Sequence, residues 1–211
     1  VSLWSDITNA FKGELGSITG APAKGVFIAF EGGEGIGKST QSQLLKQWLE
    51  QEGETVVLSR EPGGSDLGIE IRKILLSHST GEISPRAEAL LYAADRAHHV
   101  FSIIRPALAE GKVVITDRYF DSSIAYQGAG RVLQPNEVAR ISRWATESLF
   151  PTLTIIIDMP ADVGLGRLKS RDRLEAEPLA FHERVRNEFL QIAAMDPERY
   201  LIVDGLQGID D

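Results

Sequence analysis

The sequence predicts an α/β fold in which a five-stranded parallel sheet is covered by helices on both faces. Short apolar segments rich in β-branched residues alternate along the chain with longer polar or helix-patterned segments. In chain order the apolar segments are GVFIAF (25–30), TVVLS (55–59), KVVIT (112–116), TLTIIID (152–158) and YLIV (200–203). Continuous apolar strands separated by helices are typical of a buried parallel sheet with right-handed crossovers.

The composition favours one soluble globular domain. The chain has 211 residues, of which 43% are hydrophobic and 25% charged. Its formal net charge of -8 argues against nucleic acid as a partner. The absence of Cys excludes a disulfide scaffold or thiolate metal site and is compatible with a reducing cytosol. No apolar run approaches the roughly 18 residues of a membrane span, so we expect a cytoplasmic protein without membrane contact.

Residues 1–24 stand apart from the predicted domain, which we place at residues 25–211. Their apolar residues recur at helical spacing: Trp4, Ile7, Phe11, Leu15 and Ile18. A helix packed on the main body and an extension without catalytic duty both remain open. At the other end, GLQGIDD follows the last predicted strand, where an α/β domain normally adds a helix, and this final helix is expected to be absent.

The first predicted strand runs into a glycine-rich segment, AFEGGEGIGKST (29–40). Gly32, four intervening residues, and then Gly37, Lys38 and Ser39 fit the phosphate-loop pattern, and a helix-patterned segment follows. Glycines let successive backbone N–H groups converge on phosphate oxygens. We expect Lys38, as an exposed ligand group, to reach the β- and γ-phosphates of ATP and Ser39 to ligate Mg²⁺. The predicted ATP-binding residues are Gly32, Gly33, Glu34, Gly35, Ile36, Gly37, Lys38, Ser39 and Thr40.

Two other nucleotide-binding classes are disfavoured by the same sequence. A dinucleotide fingerprint needs a glycine three residues after its second glycine, but Lys38 stands three residues after Gly35 and Thr40 three residues after Gly37. A GTPase would carry an N-K-x-D segment, and the sequence has none. The loop therefore points to a nucleoside triphosphate without naming the acceptor.

Charged residues at the ends of other strands indicate a second anionic ligand. Asp117 follows the KVVIT strand and is placed to hold a water molecule of the Mg²⁺ shell. Arg118 comes next, Arg60 follows the TVVLS strand, and Arg72 and Arg96 lie on the helices behind them. Because open α/β sheets bind ligands at the carboxyl edge, these arginines are expected to converge on an anionic acceptor opposite the triphosphate.

Five ordered motifs make the chain resemble the bacterial thymidylate (dTMP) kinase family of the P-loop nucleoside monophosphate kinase class. They are FEGGEGIGKST, SREPGGSDLG (59–68), YAADRAHH (92–99), DRYFDSSIAYQG (117–128) and DRLE (172–175). The resemblance extends from about Gly25 to Gly205. It implies a P-loop kinase fold, a homodimer, and transfer of the γ-phosphoryl group of ATP to dTMP with Mg²⁺ to give dTDP and ADP.

The resemblance also assigns acceptor-binding residues. Tyr92 is expected to stack on thymine in place of the family's usual phenylalanine, although from the sequence alone an aromatic in this apolar helix is more often core. Arg96 is expected to read a thymine carbonyl, Arg118 to grip the phosphate, and the Glu61–Pro62 bond to be cis. The full set of substrate-binding residues is Glu34, Arg60, Pro62, Arg72, Tyr92, Arg96, Arg118, Ser123, Tyr126 and Gln127.

The segment GRLKSRDR (166–173) is predicted to begin a mobile lid that spans about residues 166–177. The phosphate loop carries Glu34 and no arginine, and family members with such an acid place catalytic arginines in the lid. The lid looks about three residues shorter than usual, so Arg167, Arg171 and Arg173 stay open as the residue that reaches the phosphates, with Arg171 favoured and Arg173 second. The predicted catalytic residues are Lys38, Asp117, Arg118, Arg171 and Arg173.

Other predictions from the sequence concern residues outside this site. Trp48 and Trp144 are expected in the core, and His98 and His99 are expected to be structural or exposed. Two other functions stay open: a kinase for another monophosphate or a small hydroxyl acceptor, and an ATP-dependent regulatory or assembly protein that hydrolyses nucleotide without an acceptor. Dependence of ADP release on dTMP separates them from a dTMP kinase.

Overall fold

The computed structural model describes residues 25–131 and 133–208. The expectations for residues 1–24 therefore lie outside the described part of the chain. Within it, no helix combines the length and the apolar character that crossing a membrane would require.

The predicted parallel sheet is confirmed. Five strands pair in the order β2-β3-β1-β4-β5, and every pairing is parallel. Their bounds are β1 Phe27–Glu31, β2 Val56–Arg60, β3 Val113–Asp117, β4 Leu153–Asp158 and β5 Tyr200–Asp204. All five residues of β1 are buried because β1 is the central strand and both of its faces are covered.

Helices fill the connections between the strands. Their bounds are α1 Lys38–Gln51, α2 Asp66–Leu76, α3 Pro85–His99, α4 Arg105–Ala109, α5 Phe120–Ser123, α6 Pro135–Ala145, α7 Ala161–Gly166 and α8 Leu179–Met195. A 3-10 turn covers His78–Thr80, and π-helical segments cover Val100–Ile104 and Ile124–Gly130. The predicted lid thus lies between α7 and α8.

Two apolar clusters pack on opposite faces of the sheet. Ile28, Phe30 and Ile155 pack with Leu45 of α1 on one face, whereas Phe27 and Ala29 belong to the cluster of the other face. This alternation along β1 confirms that helices cover both faces.

The two tryptophans expected in the core differ. Trp48 is partly buried against the first cluster, but Trp144 is 81% exposed, so its predicted core position is wrong. The buried residues of α6 are instead Val138, Ser142 and Ala145, and Trp144 lies on the other side of that helix. Helical spacing identified an apolar residue without showing which way the helix faces.

The carboxyl ends of three neighbouring strands bring together the predicted functional segments. In the sheet register Phe30 pairs with Asp117, and Arg60 pairs with Asp117 on the other side. The glycine-rich loop leaves β1 at the same edge. The strands that follow β1 along the chain lie on both sides of it in the sheet. The phosphate loop lies at this topological switch point, where open α/β sheets bind ligands.

Helix α7 supports the phosphate loop through a backbone-to-backbone contact. A Cβ added to Gly35 would lie 2.0 Å from the Gly164 carbonyl oxygen, and one added to Gly164 would lie 2.3 Å from the Glu34 carbonyl oxygen. Gly35 also has a φ of +66°, which favours glycine. Two facing glycines thus let the loop rest directly on α7.

We expect Gly164→Ala to lower the thermal midpoint and weaken ATP binding, because the new methyl group would displace the Glu34 carbonyl. Overpacking of this kind costs about 1–3 kcal/mol. Gly166→Ala is the matched control on the same helix, since a Cβ there meets nothing within 4 Å. It should be neutral or stabilising by up to about 1 kcal/mol. Thermal unfolding and ATP titration of both variants check this contact, and equal behaviour would contradict it.

Candidate active site

Two adjoining cavities lie at the carboxyl edge of the sheet. The loop cavity is lined by residues 34–40, Arg60, Asp117, Arg167 and Leu168. The inner cavity is lined by Pro62, Leu76, Tyr92, Arg96, Ser122, Tyr126, Gln127, Asp172 and Leu174. The residues that line both are Glu34, Glu61, Arg72, Arg118 and Glu175. The two cavities therefore meet along a charged wall.

Lys38 opens α1 at the base of the loop cavity. Its ammonium group donates to the Gly33 carbonyl, and the residue is only 6% exposed, so the expectation of an exposed ligand group is wrong. Burial lowers the pKa of Lys38 to about 8, helped by Arg118 and opposed by the carboxylates of Glu34 and Asp117. The loop folds back over its lysine and keeps the charge close to the phosphate-binding backbone.

The residues predicted to hold Mg²⁺ lie next to each other. The Ser39 hydroxyl donates to Asp117 Oδ2 at 2.5 Å, and both residues line the loop cavity. Among the described residues no group of three or more His, Cys, Asp or Glu side chains forms a ready-made metal site. One hydroxyl and one carboxylate suit Mg²⁺, which is usually held by one or two protein oxygens together with substrate phosphates and water.

Arg118 lies on the wall between the cavities. Its guanidinium donates to the Gly32 carbonyl at 2.9 Å and the Gly33 carbonyl at 3.3 Å, and it pairs with Glu34 at 2.8 Å. Arg118 has a φ of 70°, which is uncommon for a residue with a side chain. This turn, immediately after β3, aims the guanidinium back towards the phosphate loop.

A buried carboxylate that the sequence analysis missed fixes this turn. Glu31, the last residue of β1, is fully buried and accepts hydrogen bonds from the backbone N–H groups of Tyr119 and Ser122, at 2.8 and 3.1 Å. It also accepts from the Ser122 hydroxyl at 2.6 Å, and Ser122 in turn accepts from Arg118. Burial, with the neighbouring Asp121, raises the pKa of Glu31. The sequence did offer a signal for this role, because Glu31 is an acid at the end of an apolar strand and directly before the glycine-rich loop.

Glu34 balances the positive charge of the loop. Burial acts to raise its pKa, but Arg118 and Lys38 outweigh burial and lower the pKa to about 2. The Tyr126 hydroxyl donates to Glu34 at 2.7 Å and accepts from Arg118 at 3.1 Å. Glu34 and Tyr126 therefore join the phosphate loop to the inner cavity.

The inner cavity combines an aromatic ring with fixed polar groups. Tyr92 is 8% exposed and packs with Ile71 and Leu75, so it is both a core residue and part of the cavity wall. Arg72 donates to the Pro62 carbonyl at 2.9 Å, and the Glu61–Pro62 bond is cis, as predicted. A cavity wall that combines an aromatic side chain with polar donors is the arrangement expected for a planar heterocyclic ligand.

Other predicted substrate residues fall in different places. Gln127 lines the inner cavity and donates to the buried Glu88, whereas Arg60 lines the loop cavity and not the inner one. Ser123 does not line the inner cavity; it lies behind Arg96 and accepts a hydrogen bond from it at 3.0 Å, while its neighbour Ser122 lines the cavity. The π-helical turn after α5 sends Tyr126 and Gln127 inwards together.

The lid segment lies over both cavities, but its arginines differ in position. Arg167 lines the loop cavity. Arg171 donates to the Leu165 carbonyl at 3.4 Å. Arg173 pairs with Glu88 and donates to the Leu75 carbonyl. Neither of these two arginines lines the loop cavity. In the described conformation Arg167 is therefore the lid arginine whose position best fits the predicted contact with the phosphates of ATP.

The site combines a phosphate loop at the end of β1, an acid and an arginine at the end of the neighbouring strand β3, and a second cavity under a lid. These features define a P-loop nucleoside monophosphate kinase. The family model for thymidylate kinase matches residues 30–211. The chain is 60% identical over 184 residues to thymidylate kinase of Clavibacter sepedonicus, with 85% of this chain and 87% of that protein covered. It is 56% identical over 191 residues to thymidylate kinase of Leifsonia xyli subsp. xyli, with coverage of 89% and 90%.

A solved structure agrees with these sequence relatives. The crystal structure of thymidylate kinase from Ehrlichia chaffeensis matches with a TM-score of 0.73 and 34% identity, covering 85% of this chain and 92% of that chain. The chain therefore belongs to the thymidylate kinase family.

The lowered pKa of Lys38 predicts that ATP binding takes up protons in mildly alkaline solution. At pH 8.5 part of the population lacks the lysine charge, and the phosphates favour the charged form. ATP affinity should therefore fall as the pH rises through about 8, and the binding enthalpy at pH 8.5 should depend on the ionisation enthalpy of the buffer. ATP's own phosphates, with a last pKa of about 6–7, are already ionised there. Calorimetry in two buffers measures the uptake.

Lys38→Arg is the control for this measurement, because a guanidinium stays charged throughout this pH range. The variant should show a smaller buffer dependence at pH 8.5, because the share of Lys38 is removed and that of the buried Glu31, whose pKa is also raised to about 8, remains. Wild-type protein whose binding enthalpy is the same in both buffers would contradict the lowered pKa.

Proposed function

We propose that the described residues carry out the family reaction, transfer of the γ-phosphoryl group of ATP to dTMP with formation of dTDP and ADP. The chain is an ATP-dependent kinase by its family. The observation that carries the assignment of residues is the position of Arg118, which lines both cavities and contacts the phosphate loop. ATP occupies the loop cavity and dTMP the inner cavity, so that their phosphates meet at Arg118.

On the ATP side, the loop backbone holds the phosphates. Lys38 binds the β- and γ-phosphates, and Thr40 lies at the cavity wall after Ser39. Ser39 would ligate Mg²⁺ and Asp117 would hold a water molecule of its shell, and the ion would supply positive charge beside the donor phosphates. The hydroxyl-carboxylate contact at 2.5 Å supports this pair.

On the dTMP side, Tyr92 stacks on thymine and Arg96 donates to a base carbonyl. Gln127 and Tyr126 contact the base and sugar, and Arg72 with Pro62 borders the acceptor. Ser123 acts through Arg96, and Arg60 faces the phosphates from the loop cavity. The burial of Tyr92, Arg96 and Gln127 supports discrimination between bases, because an unmatched polar group there would be left unpaired.

The acceptor phosphate is already a nucleophilic anion, so no strong general base is needed. The protein's contribution is positioning and charge neutralisation. The buried Lys38 and the half-buried Arg118 are the cations that face the transferred group, and Glu34 holds Arg118 in place. Residues 25–211 act as the kinase domain with residues 166–177 as its lid, and the protein works in the cytoplasm.

A coupled assay of ADP formation tests the function directly. With dTMP, dUMP, dCMP and dAMP as acceptors, and with none, ADP should form fastest with dTMP and at a background rate without acceptor. A faster reaction with a different monophosphate would identify the protein as a kinase for that other acceptor. ADP formation that is equally fast without acceptor would contradict a kinase and favour an ATP-hydrolysing regulatory or assembly protein.

The lid arginines should separate into two kinds. Arg167→Ala and Arg171→Ala should lower kcat much more than they raise the KM for ATP. The loss in kcat should be about 10³ or more for the arginine that meets the transition state. Arg173→Ala should instead lower stability by about 1–3 kcal/mol, because the buried Glu88 loses a charged partner. Unchanged kcat in both Arg167→Ala and Arg171→Ala would rule out a catalytic lid.

We also propose that the chain is a homodimer that associates through α2, α3 and α6. These neighbouring helices expose large apolar side chains, namely Leu67, Ile74, Leu90, Phe101 just after α3, and Trp144. An apolar groove between α3 and α6 is lined by Leu90, Leu133, Val138, Ile141 and Trp144. Several large apolar side chains exposed on neighbouring helices are typical of an interface between copies.

Trp144→Glu should convert the dimer to a monomer, because it places a charge in the buried interface. Met195→Glu is the control, since Met195 is equally exposed, at 77%, but lies on α8. Light scattering coupled to size-exclusion chromatography measures the mass of each. A wild-type monomer at micromolar concentration, or a Trp144→Glu dimer as stable as wild type, would contradict this interface.

A further inference from the structure

One face of α3 supports the inner cavity from behind. Tyr92, Asp95, Arg96 and His99 recur at the spacing that places them on one side of a helix, and all four are buried. Asp95 accepts from the backbone N–H of Gly63 at 3.0 Å, so this face holds the loop of residues 61–63. The family assignment accounts for Tyr92 and Arg96 but leaves His99 without a role.

His99 and Arg96 grip the same carboxylate from two sides. Arg96 Nε donates to Glu61 Oε2 at 2.6 Å, and His99 Nδ1 lies 2.9 Å from Glu61 Oε1. All three side chains are buried, with exposures of 1%, 1% and 0%. Because the Glu61 carboxylate can only accept, His99 Nδ1 carries the proton and donates it to Glu61. The other ring nitrogen, Nε2, lies 2.6 Å from the Ser59 hydroxyl and is hydrogen-bonded to it.

This arrangement sets the direction in which Arg96 can donate. Its other nitrogens donate to the Ser123 hydroxyl and the Tyr119 carbonyl, each at 3.0 Å. Contacts within the described residues thus use three of the five N–H groups, and one on each terminal nitrogen is left for a ligand in the inner cavity.

Removing the His99 donor would free Glu61 Oε1. A free carboxylate oxygen beside a guanidinium forms the bidentate pair that Arg favours, with Nε and a terminal nitrogen on the two oxygens. That pairing would turn the guanidinium away from the Tyr119 carbonyl and change which N–H groups face the base. The single-point contact between Arg96 and Glu61 depends on a second donor for Glu61, and His99 supplies it.

We propose that His99 is a positioning residue for base selection, which holds Glu61 so that Glu61 aims Arg96 at the base carbonyl of the acceptor. The inference rests on the proposed function in assuming that Arg96 reads thymine. Cytosine presents an amine where thymine presents a carbonyl, and a guanidinium can only donate. The ratio of kcat/KM for dTMP to that for dCMP therefore reports the aim of Arg96.

Two amide substitutions separate positioning from general support of the fold. The Asn side-chain nitrogen can take the place of Nδ1 and still donate to Glu61, whereas the longer Gln side chain reaches towards Ser59 and leaves Glu61 Oε1 without its donor. We expect His99→Gln to lower the dTMP/dCMP ratio on the order of tenfold, through the KM for dTMP, with the KM for ATP unchanged. His99→Asn should stay within about twofold of wild type.

The double variant completes the test. In an Arg96→Ala background, where the ratio is already low, His99→Gln should have no further effect on it. Equal ratios in His99→Asn and His99→Gln, or an additive loss in the double variant, would overturn the positioning role. An Arg96→Ala variant with the wild-type ratio would refute base reading by Arg96 and with it this inference. The activity of the wild-type protein on dTMP tests the proposed function separately.

Discussion

The site depends on one tethered turn, the segment after β3 that carries Arg118. A residue other than glycine at a φ of 70° is strained, and such strain costs on the order of 1 kcal/mol or more. Glu31 offsets that cost by accepting two backbone N–H groups and the Ser122 hydroxyl, and the Arg118 N–H donates to the Phe30 carbonyl. Central strand β1 thus holds the phosphate loop at its end and the arginine beside that loop in one rigid frame.

Charge is balanced locally around that frame. Lys38 is buried and the Arg118 side chain is only 14% exposed, and Glu34, whose pKa is lowered to about 2, faces them in place of phosphate. Glu88 plays the same part under the lid, where Arg131 and Arg173 lower its pKa against the effect of burial. Both acids hold arginines that would otherwise repel their neighbours, so the cavities keep their shape before any anion enters.

Local sequence signals were sufficient for the sheet, the phosphate loop and the acid at the end of β3, because strand periodicity and glycine spacing act over a few residues. The family resemblance supplied the cis bond before Pro62. Contacts between distant segments, such as Glu31 with Ser122 and Glu61 with His99, could not be predicted from the sequence. The contact of Lys38 with the Gly33 carbonyl is local, but glycine spacing does not specify how the loop folds over its lysine. The outward direction of Trp144 and the pairing of Arg173 with Glu88 also depend on tertiary packing, which helical spacing does not specify.

The central claim, that Arg118 connects two ligand sites, is tested most directly by a crystal structure with a bisubstrate compound in which adenosine and thymidine are joined through a phosphate chain. The account predicts thymine beside Tyr92 and Arg96, a phosphate chain that runs across the glycine-rich loop, and the Arg118 guanidinium in contact with that chain. Thymidine bound outside the inner cavity, or Arg118 bonded only to Glu34 and the loop carbonyls without a phosphate contact, would contradict it.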